Sequence, residues 1–270
     1  MSTTAARRRG GEIAVLTVPK DGCAAAENED ACWPPESTAA HGPVLRLALA
    51  DGVADSYRPG PWAREIVRAF GTRGPLRATT DAAEFTEVLR RLCAAWAPRL
   101  RGQVREEGAD RRMEWWEKRK LRSGSAATVL AVQVRGNGVW TAAALGDSCV
   151  FQVDRDCRPV LAFPLDDPRD FDAAPATVAS ADADWDALHR RVRLHRGTWA
   201  SGDRFFLASD ALAAWVLRRH QHHPGAWREL DEAVDAGTAD SAEFSRWVGD
   251  RRRAGAMRDD DVSVIRLIPA

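Results

Sequence analysis

Short apolar runs with two distinct periods divide this chain, and acidic residues stand at many of their ends. Residues 12–18, 44–50, 124–134, 139–145, 148–153, 203–208 and 262–268 are continuous or alternating apolar stretches of strand length. Gly136-Asn137-Gly138 between two of them is a hairpin signal. Residues 81–96 have a different period: Phe85, Val88, Leu89, Leu92 and Trp96 recur at helical spacing, and Thr80 or Asp81 can cap the start. Pro61 is placed to open a helix reaching residue 70, and Pro98 should kink or end the helix begun at 81. Residues 99–120 read as charged and mostly helical, with Trp115 and Trp116 expected in a core or interface. Further helices are expected at 211–220, 227–236 and 241–252. Segment 163–201, rich in Asp, Ala and Pro, reads as irregular with one strand near 192–195.

Hairpins and grouped helices predict an α+β fold of antiparallel sheets with helices packed outside them. No internal repeat or linker divides the chain. We expect a disordered tail over 1–11 and a single domain over 12–270.

Composition narrows the function. The formal net charge is zero, which argues against nucleic acid as the main partner. Arg7-Arg8-Arg9 and Arg251-Arg252-Arg253 are short enough to be solvated surface. The five cysteines are odd in number and form no CxxC pair, so reduced thiols are expected rather than a disulfide framework or a zinc site. No secretory leader is expected, and no apolar run reaches membrane-spanning length. A cytoplasmic protein is expected. The Ala- and Arg-rich composition, with three lysines, fits a GC-rich bacterial genome.

The acidic segments carry the chemistry. They are Asn28-Glu29-Asp30, Asp51-Gly52, Gly146-Asp147-Ser148, Ser209-Asp210 and Asp259-Asp260-Asp261. A carboxylate at a strand end is held by the sheet yet faces an open edge. Several converging there would form a hard, all-oxygen site suited to Mg²⁺ or Mn²⁺ rather than zinc.

Together with Gly124-Ser125-Ala126-Ala127-Thr128, these segments follow one another in an order that resembles the metal-dependent type 2C protein serine/threonine phosphatases, over nearly the whole chain. The resemblance implies a four-layer α-β-β-α sandwich with two Mg²⁺ or Mn²⁺ ions in a cleft at one end, which would activate water for attack on a phosphomonoester. Asp30 and Asp51 would contact the ions, Asp51 bridging them, and the Gly52 carbonyl would be another ligand. Asp210 and Asp260 would hold one ion from the other sheet, and Glu29 would act through water. Asp147 matches the residue associated with a third, weaker ion. The implied partners are a phosphorylated protein substrate and a cognate serine/threonine kinase or regulatory protein. Segment 163–201 lies where the family has a flap beside the site.

The chain also departs from the family. Ala25 stands where an arginine would grip the substrate phosphate, four residues before Glu29. Val53 stands where many members have a histidine, and Ala211 follows Ser209-Asp210 where glycine is usual. Lys20, Arg58 and Arg122 are candidate replacements for the missing arginine. Asp55 reads equally as an extra acid at the cleft mouth or an ordinary loop residue. His220, His222 and His223 read as a cluster at a helix C-terminus. Beside the leading expectation of a phosphoserine/phosphothreonine phosphatase stand two others: a phosphatase-like binding or scaffold module with little catalysis, and a hydrolase of a non-protein phosphate ester.

Overall fold

The computed structural model describes residues 11–75, 77–108, 114–171, 174–181 and 183–270. In chain order the strands are β1 (Gly11–Val18), β2 (Ala31–Trp33), β3 (Thr38–Ala40), β4 (Val44–Ala50), β5 (Ala126–Ala127), β6 (Val129–Arg135), β7 (Val139–Leu145), β8 (Cys149–Val153), β9 (Pro159–Phe163), β10 (Val178–Ala179), β11 (Arg193–Thr198), β12 (Arg204–Ala208) and β13 (Val262–Ile268). The helices are α1 (Pro59–Arg68), α2 (Ala82–Gly108), α3 (Trp115–Ser123), α4 (Trp185–Arg191), α5 (Asp210–His222), α6 (Ala226–Ala239) and α7 (Ser241–Arg253).

Two antiparallel sheets pack face to face. One has the order β3-β1-β13-β12-β8-β9 and the other β11-β7-β6-β4-β2; β5 and β10 form a small separate pair. Strand alternation sorts the apolar side chains between layers. Leu47, Leu49, Leu130 and Val132 meet Phe205, Leu207, Ile265 and Leu267 between the sheets. The intervening Ala48, Ala50, Val129 and Ala131 face outward, under Trp62 and Ile66 of α1 and Phe85 and Leu89 of α2. On the other side Phe206, Ala208 and Val264 lie under α5, α6 and α7, packed with Leu212, Trp227, Val234 and Phe244. The central strands β6, β7, β8, β12 and β13 are buried on both faces, which is why they read as continuous apolar runs. The result is the four-layer α-β-β-α arrangement.

Several local expectations need correction. Pro98 does not end the second helix: α2 runs through it to Gly108. Phe85, Leu89, Cys93, Trp96 and Leu100 make one buried stripe, and this packing offsets the single backbone hydrogen bond proline forfeits. α1 opens at Pro59, two residues before Pro61, and a π-helical turn (Ala69–Arg73) follows it. Trp115 and Trp116 are not core residues, being 72% and 48% exposed on α3. Segment 163–201 is more regular than expected, containing β10, α4 and the six-residue β11. Gly11, assigned to the tail, already belongs to β1; residues 1–10, with Arg7-Arg8-Arg9, lie outside the described residues. The five cysteines are free. Among the described residues no helix is long and apolar enough to cross a membrane.

Candidate active site

The topology gathers the acidic segments at one end of the sandwich. β4 and β7 end there, β2 begins there, and on the opposing sheet β12 ends and β13 begins there. β2 pairs with β4 so that Ala31 faces Ala50, which brings Asp30 beside Asp51 across the strand pair. Asp30 is set by a local turn in which the Asn28 side-chain oxygen accepts its N–H at 2.8 Å.

Neighbouring small and hydroxylated residues fix the Asp51-Gly52 corner. Asp51 N–H donates to Thr128 Oγ1 (3.2 Å), while Thr128 N–H donates to the Asp51 carbonyl (2.8 Å). Thr128 Oγ1 also shares a hydrogen bond with Ser148 Oγ (3.1 Å), tying Asp51 to the loop that carries Asp147. A Cβ on Gly52 would lie 2.7 Å from Pro59 Cβ and 2.8 Å from the Glu29 carbonyl, so no side chain fits. Gly146 has φ +112°, and a Cβ there would come within 2.6 Å of Thr128. These contacts give physical reasons for the glycines of two motifs and for the threonine of a third.

On the other sheet, Ser209 Oγ accepts the Ser263 N–H (2.9 Å) and donates to the Asp261 carbonyl (3.3 Å), pinning the end of β12 to the start of β13. Asp261 is buried, and its carboxylate accepts the backbone N–H groups of Lys20 (2.9 Å) and Glu29 (2.7 Å). It is therefore a brace, and the neighbouring Asp260 is the more exposed member of the pair. Arg252, expected on solvated surface, is instead buried and donates to the carbonyls of Pro19 (2.9 Å) and Asp260.

The acids form one electrostatic cluster. Burial pushes Asp30 up to about 7; the nearby Ser263 hydroxyl opposes this and the charge of Asp261 adds to it. Burial also lifts Asp51 well above the usual carboxylate range, reinforced by the charges of Asp30, Asp147, Asp260 and Asp261. Asp147 is raised by burial, with its own backbone N–H and Arg258 opposing. Glu29 is raised by burial and pulled back by Lys20, whose Nζ lies 3.8 Å from Glu29 Oε2. The Lys20 ammonium is in turn raised, first by Glu29. Asp210 joins through Arg258, whose guanidinium pairs with Asp210 and lies 3.6 Å from Asp260 Oδ2.

Both carboxylate oxygens of Asp30, and Oδ1 of Asp147, are buried without a hydrogen-bond partner. An unpaired buried carboxylate is costly unless a cation or proton meets it. Among the described residues no three His, Cys, Asp or Glu side chains stand close enough, as they are, to enclose an ion. Arg258 lies between two of the acids. The donor set is all oxygen and its buried members are unpaired, so it fits a hard divalent cation once Arg258 withdraws.

The family model described as Protein phosphatase 2C matches residues 7–248. The chain belongs to the protein phosphatase 2C family. Its fold is similar to that of the Mycobacterium tuberculosis serine/threonine phosphatase PstP/Ppp, with TM-score 0.55 and 19% identity over 97% of this chain and 99% of that one. It is similar to the catalytic domain of PstP in complex with two manganese ions (TM-score 0.53, 18% identity, 96% and 98% coverage). It is also similar to the photosystem II phosphatase PBCP (TM-score 0.55, 17% identity, 97% and 99% coverage). No curated protein sequence matches the chain.

Within this protein phosphatase 2C fold the departures have definite surroundings. Ala25 opens a short, exposed 3-10 turn. The Val53 N–H is used by the Ala126 carbonyl (2.9 Å). Of the three candidate replacement cations, Lys20 reaches the acids. Arg58 donates to Gln103 (3.2 Å) and stacks near Tyr57, and Arg122 is exposed on α3. Asp55 is an exposed loop residue. His223 closes α5, its Nδ1 accepting the Gly225 N–H (3.1 Å), as a helix-end cluster should. Sequence reading missed Arg258, two residues before Asp260, and Lys120, whose Nζ donates to the Ala54 carbonyl (2.9 Å) and whose charge reaches Glu29. Nothing in periodicity or motif marks either one.

Proposed function

We propose that the chain is a metal-dependent phosphatase acting on phosphoserine or phosphothreonine in proteins, with Mg²⁺ or Mn²⁺ as its ions. The observation that carries this reading is the buried Asp30 carboxylate, with both oxygens unpaired, in charge contact with Asp260 and Asp261. Like charges held together in this way weaken a fold unless a cation repays them.

Asp30 and Asp51, with the Gly52 carbonyl, would hold the ions from the five-stranded sheet. Asp210 and Asp260 would hold one from the six-stranded sheet, and Asp147 a third. When bound, such ions supply Lewis-acid activation of water and neutralise charge on the transferring phosphoryl group. Glu29, beside Lys20, would orient water at the rim. Asp261 and Arg252 keep Glu29 and Asp260 in place. Lys20 and Arg258 bring positive charge to a cleft where Ala25 offers none, and would steady the substrate phosphate.

A second reading has one specific observation in its favour. Arg258 pairs with Asp210 and approaches Asp260, and an internal cation there would leave a phosphatase-like binding module with little turnover. The deciding experiment is hydrolysis of a phosphothreonine peptide and of p-nitrophenyl phosphate in EDTA, Mg²⁺ or Mn²⁺, beside Asp210→Asn. Metal-dependent turnover lost in the variant supports the phosphatase. Wild-type rates in Asp210→Asn would rule out the assigned site. Absence of turnover and of calorimetric metal binding would favour the module.

A further inference from the structure

Beside the acid cluster, a groove of about 670 Å³ runs from Gly146 and Asp147 out to the surface. It is lined by residues 163–165 and 174–176. Arg190, Arg191, Arg193 and Leu194 line it as well. The placement follows from the sheet. β11 is the edge strand beside β7, and Arg193 faces Ala144, three residues before Asp147. The start of β11 and the last turn of α4 therefore stand at the same end of the sandwich as the acids.

The three arginines are exposed, and among the described residues none is engaged in an ion pair. Two of them sit in the last turn of α4, where cations complement the helix dipole. That cannot account for Arg193, which lies beyond the helix on the strand. Nor is the groove the by-product of a basic chain, since the whole sequence has zero net charge. Asp170 is the one acid lining the groove besides Asp147, among the described residues. The local balance is therefore positive, next to a strongly negative centre.

Neighbouring patches of opposite sign impose a direction on an approaching ligand. Fixed positive charge in a groove attracts an anionic chain. The apolar Leu194 and the lining at 163–165 offer contact area that a compact phosphate would not use. We propose that this groove selects substrates by charge: it receives an extended peptide segment bearing two or three Asp or Glu residues immediately beside the phosphorylated residue, with Arg190, Arg191 and Arg193 as the specificity-determining side chains. The position of the phosphate rests on the phosphatase reading above; the preference for acidic peptide does not.

The test is a binding measurement on the full chain. Fluorescein-labelled phosphothreonine peptides carrying acidic, neutral or basic flanks, on the N- or C-terminal side in separate peptides, are titrated at low salt and followed by anisotropy. The wild type should bind one acidic-flanked peptide about tenfold more tightly than its neutral counterpart, as three surface arginine–carboxylate contacts imply, and the preference should fade with added salt. The Arg190→Ser/Arg191→Ser/Arg193→Ser protein should lose it. Arg191→Gln alone should lose part of it, which guards against a misfolded triple variant. Equal affinity for all flanks, or a preference that survives the triple substitution, would overturn the proposal. So would tripolyphosphate displacing the acidic peptide as effectively as unlabelled peptide does. Hydrolysis of p-nitrophenyl phosphate by the wild type, measured in parallel, reports on the phosphatase reading alone. A chain without turnover that still prefers acidic peptides would keep the groove and discard the enzyme.

Discussion

Replacing Asp30 with asparagine should stabilise the metal-free protein while abolishing its response to metal. Asp30 ionises at about 7 in the fold, raised chiefly by burial, against an ordinary value of 3.8. A carboxyl raised by that much, when ionised at pH 8, weakens the fold by about 4 kcal/mol relative to the unfolded chain. The asparagine amide brings its own desolvation, about 1–3 kcal/mol where it finds no partner. The net gain is on the order of 2 kcal/mol, and relief of the repulsion on Asp51 acts in the same direction. For a chain of this length that is a rise in Tm of about 4–8 °C. The sign follows from proton binding. Above pH 7 the native carboxyl is ionised at full penalty, so the gain is complete. As pH falls from about 7 toward 3.8 the native state binds its proton while the unfolded chain does not, and the gain shrinks. Below 3.8 both states are protonated, the ionisation penalty is gone, and only the amide's own desolvation separates the two proteins. The assay is thermal unfolding in EDTA at pH 8 and pH 4, repeated at pH 8 with Mn²⁺. The wild type should gain stability from Mn²⁺ and Asp30→Asn should not. An Asp30→Asn protein with an unchanged or lower Tm in EDTA at pH 8, and a native circular dichroism spectrum, would refute the reasoning.

Two further outcomes follow from the braces around the site. Asp261→Ala removes the acceptor for the Lys20 and Glu29 N–H groups; urea unfolding should show a loss of about 2–4 kcal/mol, with Asp261→Asn milder because it keeps one oxygen. A loss under half a kcal/mol for the alanine variant would mean that water replaces both bonds. Arg258→Ala removes a half-exposed cation that competes for Asp210 and Asp260; calorimetry should show Mn²⁺ bound about fivefold more tightly, in proportion to a partly screened ion pair of about 1 kcal/mol. Weaker binding would mean that Arg258 supports the ion site instead of competing with it.

Much of the architecture was legible because its central strands are buried on both faces. Residues 44–50 read as a strand from their apolar run alone, and the alternation of Leu47 and Leu49 with Ala48 and Ala50 records which sheet face meets the other sheet and which lies under α1. Where local rules and packing disagree, packing prevails: Pro98 sits inside α2 because the stripe from Phe85 to Leu100 is buried as one surface. The three-residue β2 and β3 are too short to show a period, and long-range pairing alone defines them. The acids were visible as segments, since a strand end can be read from the chain. Of their cationic neighbours, Lys20 was visible as one of three candidate replacements for the missing arginine, and Lys120 and Arg258 were not. Lys120 approaches from α3, Lys20 from the end of β1, and Arg258 from the turn before β13. Their meeting is a property of the topology, which no spacing in the sequence encodes. Trp115 and Trp116 misled for a related reason: aromatic residues on a helix predict burial only when something packs on that face.

The Asp30–Asp51 pair belongs to one sheet of the sandwich and the Asp210–Asp260 pair to the other. A cation held between them would act as a mechanical fastener across the open end of the molecule. Without it, the hydrogen bond from Glu29 N–H to Asp261 would still join the two layers at the rim, but against unrelieved repulsion among the acids. The same end then becomes the first place for the backbone to breathe, exchange its amide hydrogens and admit a protease. Metal binding there would thereby raise the chain's resistance to local opening as well as ready the site.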